Sequence, residues 1–332
     1  MDPRHAGTLV LTRSEVARLL DLEACIGAVA ESFRMSGESQ TAVAAMMGVH
    51  VPAGGFHTKG GVLELKRRYF AAKTNANFME NHRLGLPTIQ GTLVLHDAEN
   101  GFPLAVMDSI EISILRTGAA TAVAARHLAR ADSTVVAVAG CGEQGHVQLR
   151  ALKVVLPLER AMVWDIDPGR AERLAATLGP ELAMEITPVA DFHAAAGQAD
   201  VCVTCTPSER YLLGLEDIRP GTFIAGVGVD NPHKRELAPA LLAASTLVVD
   251  SLAQCVEIGD LHHAIETGVL TREAVHAELG ALVAGRAPGR TGQDEITVFD
   301  STGIALQDVA AAALVYERAL GTGAGLVVNF AA

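Results

Sequence analysis

TVVAVAGCGEQGHVQL, residues 134–149, decides how the rest of the chain is read. Val135 to Ala139 is an unbroken apolar run rich in β-branched residues, the pattern of a strand buried on both faces of a parallel sheet. Gly140, Gly142 and Gly145 follow in the spacing G-x-G-x-x-G. The first permits a tight turn, the second lets backbone approach a pyrophosphate, and the third lets the following helix pack closely. That helix starts near Glu143 and Gln144 and turns its N-terminal N–H groups and positive dipole end toward phosphate.

A glycine pattern alone is weak, so its context matters. A dinucleotide site needs a second strand ending in an acidic residue about 20 residues on. Ala161-Met-Val-Trp-Asp165 supplies one, with Asp165 placed to accept hydrogen bonds from both ribose hydroxyls. The alternative for Asp165 is an ordinary turn residue at a strand end. A 2′-phosphate would meet like charge there, so NAD is expected over NADP. Arg170 and Arg173 downstream keep NADP open as the lesser expectation.

The alternation continues with strands expected over residues 199–206, 223–228, 246–250 and 296–299. Helical, alanine-rich stretches lie between some of them, which points to a doubly wound parallel sheet with ligands at the carboxyl ends of its strands. Thr206, Val229, Asp230 and Ser301 follow those strands and are candidate site residues. Asp230 has a structural alternative: it could cap a helix suggested by Pro232-His-Lys-Arg-Glu-Leu237.

Bulk composition excludes several function classes. The chain has 332 residues, 49% of them hydrophobic, enough for two domains with real cores. A net charge of −12 with 4% aromatics offers neither a basic surface nor stacking rings for nucleic acid. It also argues against an anionic membrane partner. No uncharged apolar run approaches the roughly 20 residues that span a bilayer. The N-terminus has no apolar core of signal-peptide length. Five scattered cysteines do not make a disulfide framework. A cytoplasmic protein with reduced thiols is expected. In a strand, Cys202 and Cys205 point to opposite faces, and on a helix the adjacent His262 and His263 do not share a face, so no metal site is assigned.

The first third has a different texture. Residues 12–20 and the stretch to Phe33 are helical in period. Residues 92–96 and 102–107 flank an Asn100-Gly101 turn and read as a hairpin. Ser113 to Leu128 reads as a helix leading into the glycine-turn domain, and Ala305 to Leu320 as one that crosses back. The expected α/β architecture is therefore a Rossmann-type doubly wound domain, residues 129–304, and a discontinuous α+β domain, residues 1–128 and 305–332. Lys73, Thr88 and Arg116 in that second domain stand in largely apolar surroundings. A cation so placed is buried only with a partner. The partner is either an internal carboxylate in a salt bridge or a substrate carboxylate, for which arginine offers a bidentate fork.

With these motifs together, the chain resembles the ornithine cyclodeaminase/mu-crystallin family over residues 10–320. The resemblance rests on Gly85-Leu-Pro-Thr88, Leu115-Arg-Thr-Gly-Ala-Ala120, Gly140-Cys-Gly-Glu-Gln-Gly145, Cys205-Thr-Pro-Ser208 and Gly226-Val-Gly-Val-Asp-Asn-Pro-His-Lys-Arg-Glu-Leu237. It implies a homodimer whose discontinuous domain pairs across the two-fold axis. It implies that Lys73, Thr88 and Arg116 bind an amino-acid carboxylate, with Asp230 the catalytic acid/base. Thr117, the glycine turn, Thr206, Val229, Lys234 and Ser301 would contact the cofactor. Many members carry an extra arginine on the strand before the lysine; residues 45–51 have none, and His57 and Lys59 are the candidates to replace it. The implied activity is an NAD-dependent amino-acid dehydrogenase or imine reductase on a small amino or imino acid. An ornithine- or lysine-type cyclodeaminase is the alternative, and a crystallin-like binding protein a third reading.

Overall fold

The computed structural model describes residues 7–39 and 42–330. The chain divides into two compact units, one formed by residues up to Arg116 together with those from Ile304 onward, the other by Thr117–Gly303.

In the first unit, strand β1 (Thr8–Leu11) leads into helices α1 (Arg13–Leu19) and α2 (Leu22–Gly37). Both helices start where the sequence provides caps: the Thr12 N–H donates to Glu15 at 2.8 Å, and the Ala24 N–H donates to Asp21 at 2.8 Å. An antiparallel run of β2 (Ala42–Val51), β3 (Gly54–Glu64), β4 (Arg68–Asn77), β5 (Ile89–Asp97) and β6 (Pro103–Asp108) follows, then helix α3 (Ile110–Leu128). The expected hairpin is β5–β6, and Gly101 takes the left-handed φ of 78° that its turn requires.

The second unit alternates strand and helix: β7 (Val135–Ala139), α4 (Glu143–Val155), β8 (Arg160–Trp164), α5 (Pro168–Leu182), β9 (Glu185–Pro188), α6 (Phe192–Ala196), β10 (Val201–Thr204), β11 (Phe223–Gly226), α7 (Pro239–Ala243) and β12 (Thr246–Val249). Helices α8 (Leu252–Ile258) and α9 (Asp260–Glu266), strand β13 (Ala277–Glu278), helix α10 (Leu279–Val283) and strand β14 (Thr297–Asp300) complete it. Its eight strands lie in the order β13-β12-β14-β11-β10-β7-β8-β9, parallel throughout. Strands β10, β11 and β12 lie within the runs expected for them, whereas β14 extends one residue beyond its run, to Asp300. Asp200, expected inside β10, precedes it and accepts the N–H groups of Thr134 and Val135 at 2.9 and 3.0 Å.

The chain then returns to the first unit as α11 (Ala305–Thr322) and β15 (Leu326–Val328). The first sheet has the order β15-β1-β6-β5-β4-β3-β2. Helix α11 packs against α2, β3 and β4, as the apolar C-terminal pattern suggests. Leu63, Tyr69, Leu93 and Leu95 are fully buried, and Tyr69 and Tyr316 meet edge to face at 6.4 Å. Directly paired residues of antiparallel strands share a face. Lys59 pairs with Lys73 and Lys73 with Leu93, so both lysines lie on the face that carries Leu93.

Candidate functional site

In the first unit the sequence-singled cations converge. Lys73 Nζ donates to Asp308 at 2.8 Å and to Ser113 Oγ at 3.0 Å. Arg116 Nε lies 3.3 Å from the same Asp308 oxygen, and Arg116 Nη1 donates to Gln307 at 3.0 Å. The internal salt bridge is therefore formed, with α11 supplying the carboxylate. Burial pushes the Lys73 ammonium down to about 8; Asp308 opposes this, and the like charges of Arg116 and Lys59 add to it. Burial works to raise Asp308, but Lys73 and Arg116 outweigh it and hold the carboxyl below its ordinary range. Satisfaction is incomplete: among the described residues, buried Arg116 Nε approaches Asp308 without a hydrogen bond, Gln307 Nε2 finds no acceptor, and Asp308 Oδ2 finds no donor.

The strand register orders the neighbours of this cluster. His57 pairs with Asn75 and Lys59 with Lys73, on one face. The β2 residue opposite Lys59 is Met46, so no arginine occupies that position. Asn75 accepts from Ser109 Oγ at 2.6 Å, in space a side chain on Gly91 would fill, since a Cβ there would lie 2.3 Å from Asn75 Oδ1. Thr88 is half-buried at the entry to β5, and its carbonyl accepts the Phe78 N–H at 2.9 Å.

In the second unit the glycine turn is built as its spacing predicts. Gly140 has φ 102°, Gly142 caps α4 with open space where a Cβ would project, and a Cβ on Gly145 would lie 2.1 Å from the Gly140 carbonyl. The three glycines thus serve a turn, an open approach and a tight helix contact. Asp165 accepts the N–H groups of Cys141 at 2.8 Å and Asp167 at 2.9 Å, one on each oxygen. Each oxygen keeps a further lone pair, so this acceptor set fits the two hydroxyl donors of a ribose diol. Gln144 Oε1 is buried without a donor among the described residues. A cavity of about 490 Å³ lies beside β8, lined by Trp164, Ala190, Phe192, His193 and Leu212.

The loops after β10 and β11 are tied together by Glu236. Its carboxylate accepts from Thr206 N–H at 2.6 Å, Thr206 Oγ1 at 2.7 Å and Gly228 N–H at 3.0 Å. Val229 is buried, while the next residue, Asp230, is exposed and accepts from Lys234 Nζ at 2.8 Å. The helix suggested by residues 232–237 does not form. Asn231 instead accepts the His233 and Lys234 N–H groups in a side-chain turn, so Asp230 is not a helix cap. Ser301 is buried and donates to Asp250 at 3.1 Å, an internal contact for that hydroxyl. Thr117 is buried in α3, where its carbonyl accepts from Thr121.

One geometric expectation is corrected. His262 and His263 approach within 5.1 Å between ring centres, and one ligand nitrogen of each lies with a Glu266 oxygen inside a 4.8 Å set. Adjacent helical Cβ atoms diverge, but rings on flexible χ angles can swing back together. Cys202 and Cys205 do stay apart, donating to Ala196 and to Ala139 and Gly140 respectively. Sequence reasoning did not single out Asp308, Gln307 or Glu236. Asp308 carried a faint signal, as the one charged residue between Ala305 and Tyr316.

The profile of the ornithine cyclodeaminase/mu-crystallin family matches residues 6–323. The alanine dehydrogenase of Archaeoglobus fulgidus is 35% identical over 324 residues, covering 97% of this chain and 98% of its own. The structure of an archaeal alanine dehydrogenase dimer with bound NAD superposes with a TM-score of 0.93 at 35% identity, covering 97% of this chain and 99% of that one. The Delta(1)-pyrroline-2-carboxylate reductase of Thermococcus litoralis, in complex with NADH and L-proline, gives 0.92 at 33% identity, with 97% and 100% covered. The chain belongs to the ornithine cyclodeaminase/mu-crystallin family.

Proposed function

We propose that the protein is an NAD-dependent dehydrogenase or imine reductase acting on a small amino or imino acid. The observation that carries this is the cluster of Lys73, Arg116 and Asp308, in which, among the described residues, two buried donors make no hydrogen bond: Gln307 Nε2, and Arg116 Nε, which has only its ion-pair approach to Asp308. An α-carboxylate supplies their acceptors and offsets the positive charge in excess of Asp308. That excess, increased by Lys59, disfavours a substrate with a cationic side chain and so ranks cyclodeamination of ornithine or lysine second. Thr88 and His57 are the further candidates for contact with the substrate.

The glycine turn, Asp165 and the post-strand residues Thr206 and Val229 suit NAD, as do the NAD-bound relatives. NAD, when bound, takes or gives the hydride at the substrate's Cα. Lys73 and Arg116 orient the carboxylate so that Cα is presented in one pose. Asp230 holds or releases the proton on the amine nitrogen, or on the water that adds to the imine, with Lys234 as its ion-pair partner. The functional particle is a homodimer, by analogy with the archaeal alanine dehydrogenase dimer.

Asp230→Asn tests the assignment. It keeps shape while removing the titrating group. Turnover of amino or oxo acids with NAD(H) and ammonia should fall at least about a hundredfold, with NADH affinity kept. Retention of most of the turnover overturns the role given to Asp230.

A further inference from the structure

We propose that His262, His263 and Glu266 form a binding site for a divalent transition cation of the zinc class, within the second unit and separate from the residues assigned to chemistry. One nitrogen from each imidazole and one Glu266 oxygen all lie within 4.8 Å of one another. The hydrogen bonds of the two rings decide what those nitrogens offer. His262 Nδ1 lies 3.0 Å from the Val256 carbonyl, and His263 Nε2 lies 2.7 Å from the Lys234 carbonyl. A carbonyl only accepts, so each of these ring nitrogens carries the proton, and each ring's other nitrogen presents a lone pair. For His263 that nitrogen is Nδ1, 3.8 Å from Glu266 Oε2, an acceptor facing an acceptor.

Metal-binding histidines are held in this way, with the second ring N–H given to a carbonyl that fixes tautomer and orientation. Tetrahedral bonds of about 2.0–2.1 Å place ligand atoms about 3.3 Å apart. The exposed side chain of Glu266 can close the remaining gap, and water completes the shell on that side. Two imidazoles and one carboxylate suit Zn²⁺, Co²⁺ or Ni²⁺, and not Mg²⁺ or Ca²⁺, which take oxygen shells. Through the Lys234 carbonyl, a bound cation would also brace the turn that carries Asp230 and Lys234.

The experiment is calorimetric titration of ZnCl₂ into the untagged, chelator-treated full-length protein, with Co²⁺ absorption as the spectroscopic readout. One equivalent should bind with a Kd below about 10 µM, and Co²⁺ should give visible bands of a four- or five-coordinate ion. His262→Gln and Glu266→Gln, both at solvent-reachable positions, should each weaken binding at least about tenfold while NADH binding persists. Absence of a saturable equivalent overturns the site. So does Zn²⁺ binding that is unchanged in both variants, which would place the ion on other histidines.

Discussion

Lys73 joins sequence to function through its environment. On β4 it sits in an otherwise apolar strand, and burial there pushes its ammonium down to about 8. Binding of an anionic substrate needs that charge. KM for the amino or imino acid should therefore rise above pH 8, approaching tenfold per unit, while kcat changes less. A flat KM to pH 10 would sink the carboxylate-binding role. The effect on folding has the opposite sense. The unfolded chain keeps the lysine proton up to about 10.5 and the folded chain releases it near 8, so this group favours folding increasingly as pH rises through that interval. Asp308 contributes stability that is present above its ordinary value of 3.8 and lost as pH falls through its lower folded value. The motif around Lys73 signalled a buried cation in need of a partner but not which one, because Asp308 lies 235 residues away on α11.

Elements with local signatures were the readable ones. Strand β7 announces itself by five consecutive apolar residues, and the turn after it by glycines whose open, tight and left-handed positions each match a backbone requirement. Asp165, just after β8, belongs to that set. NADH should bind at least about tenfold tighter than NADPH, roughly 1.4 kcal/mol, and Asp165→Ser should erode the gap; equal affinities in the parent protein contradict the ribose assignment. The loops after β10 and β11 were legible only as positions. What holds them is Glu236, fully buried, which lies 30 residues from Thr206 in the chain and whose burial pushes its carboxyl up against the pull of its donors. Residues 232–237 read as a helix because their composition permits one; the long-range bond from Glu236 and the Asn231 turn decide otherwise. Glu236→Gln should place an amide N–H against a backbone or hydroxyl donor. The expected cost is about 1–3 kcal/mol of stability in denaturant unfolding, with weaker NADH binding as both loops shift. Unchanged unfolding and unchanged NADH affinity would show that the clamp is dispensable.

The edge of the first sheet carries an exposed apolar patch. Strand β2 is an edge of the first sheet, and Met47, Val49 and Phe56 on one face there are 59%, 47% and 41% exposed. Register puts them together: Val49 pairs with Phe56 and Met47 with Thr58, on the face opposite Lys59 and Lys73. An uncharged apolar edge of this kind invites pairing with another chain, since contiguous apolar patches are seldom left in water. A two-fold dimer buries the same patch from both copies at once, because isologous contacts are self-complementary. No helix among the described residues is long and apolar enough to cross a membrane. Sedimentation equilibrium should report a particle about twice the 34.7 kDa chain. Replacing Met47 and Val49 together by Glu introduces like charges directly across the symmetry axis, and the particle should then shift toward the single-chain mass at micromolar concentration. A parent protein that sediments as a strict monomer at that concentration would rule out the dimer; a double variant that remains fully dimeric would move the interface away from β2.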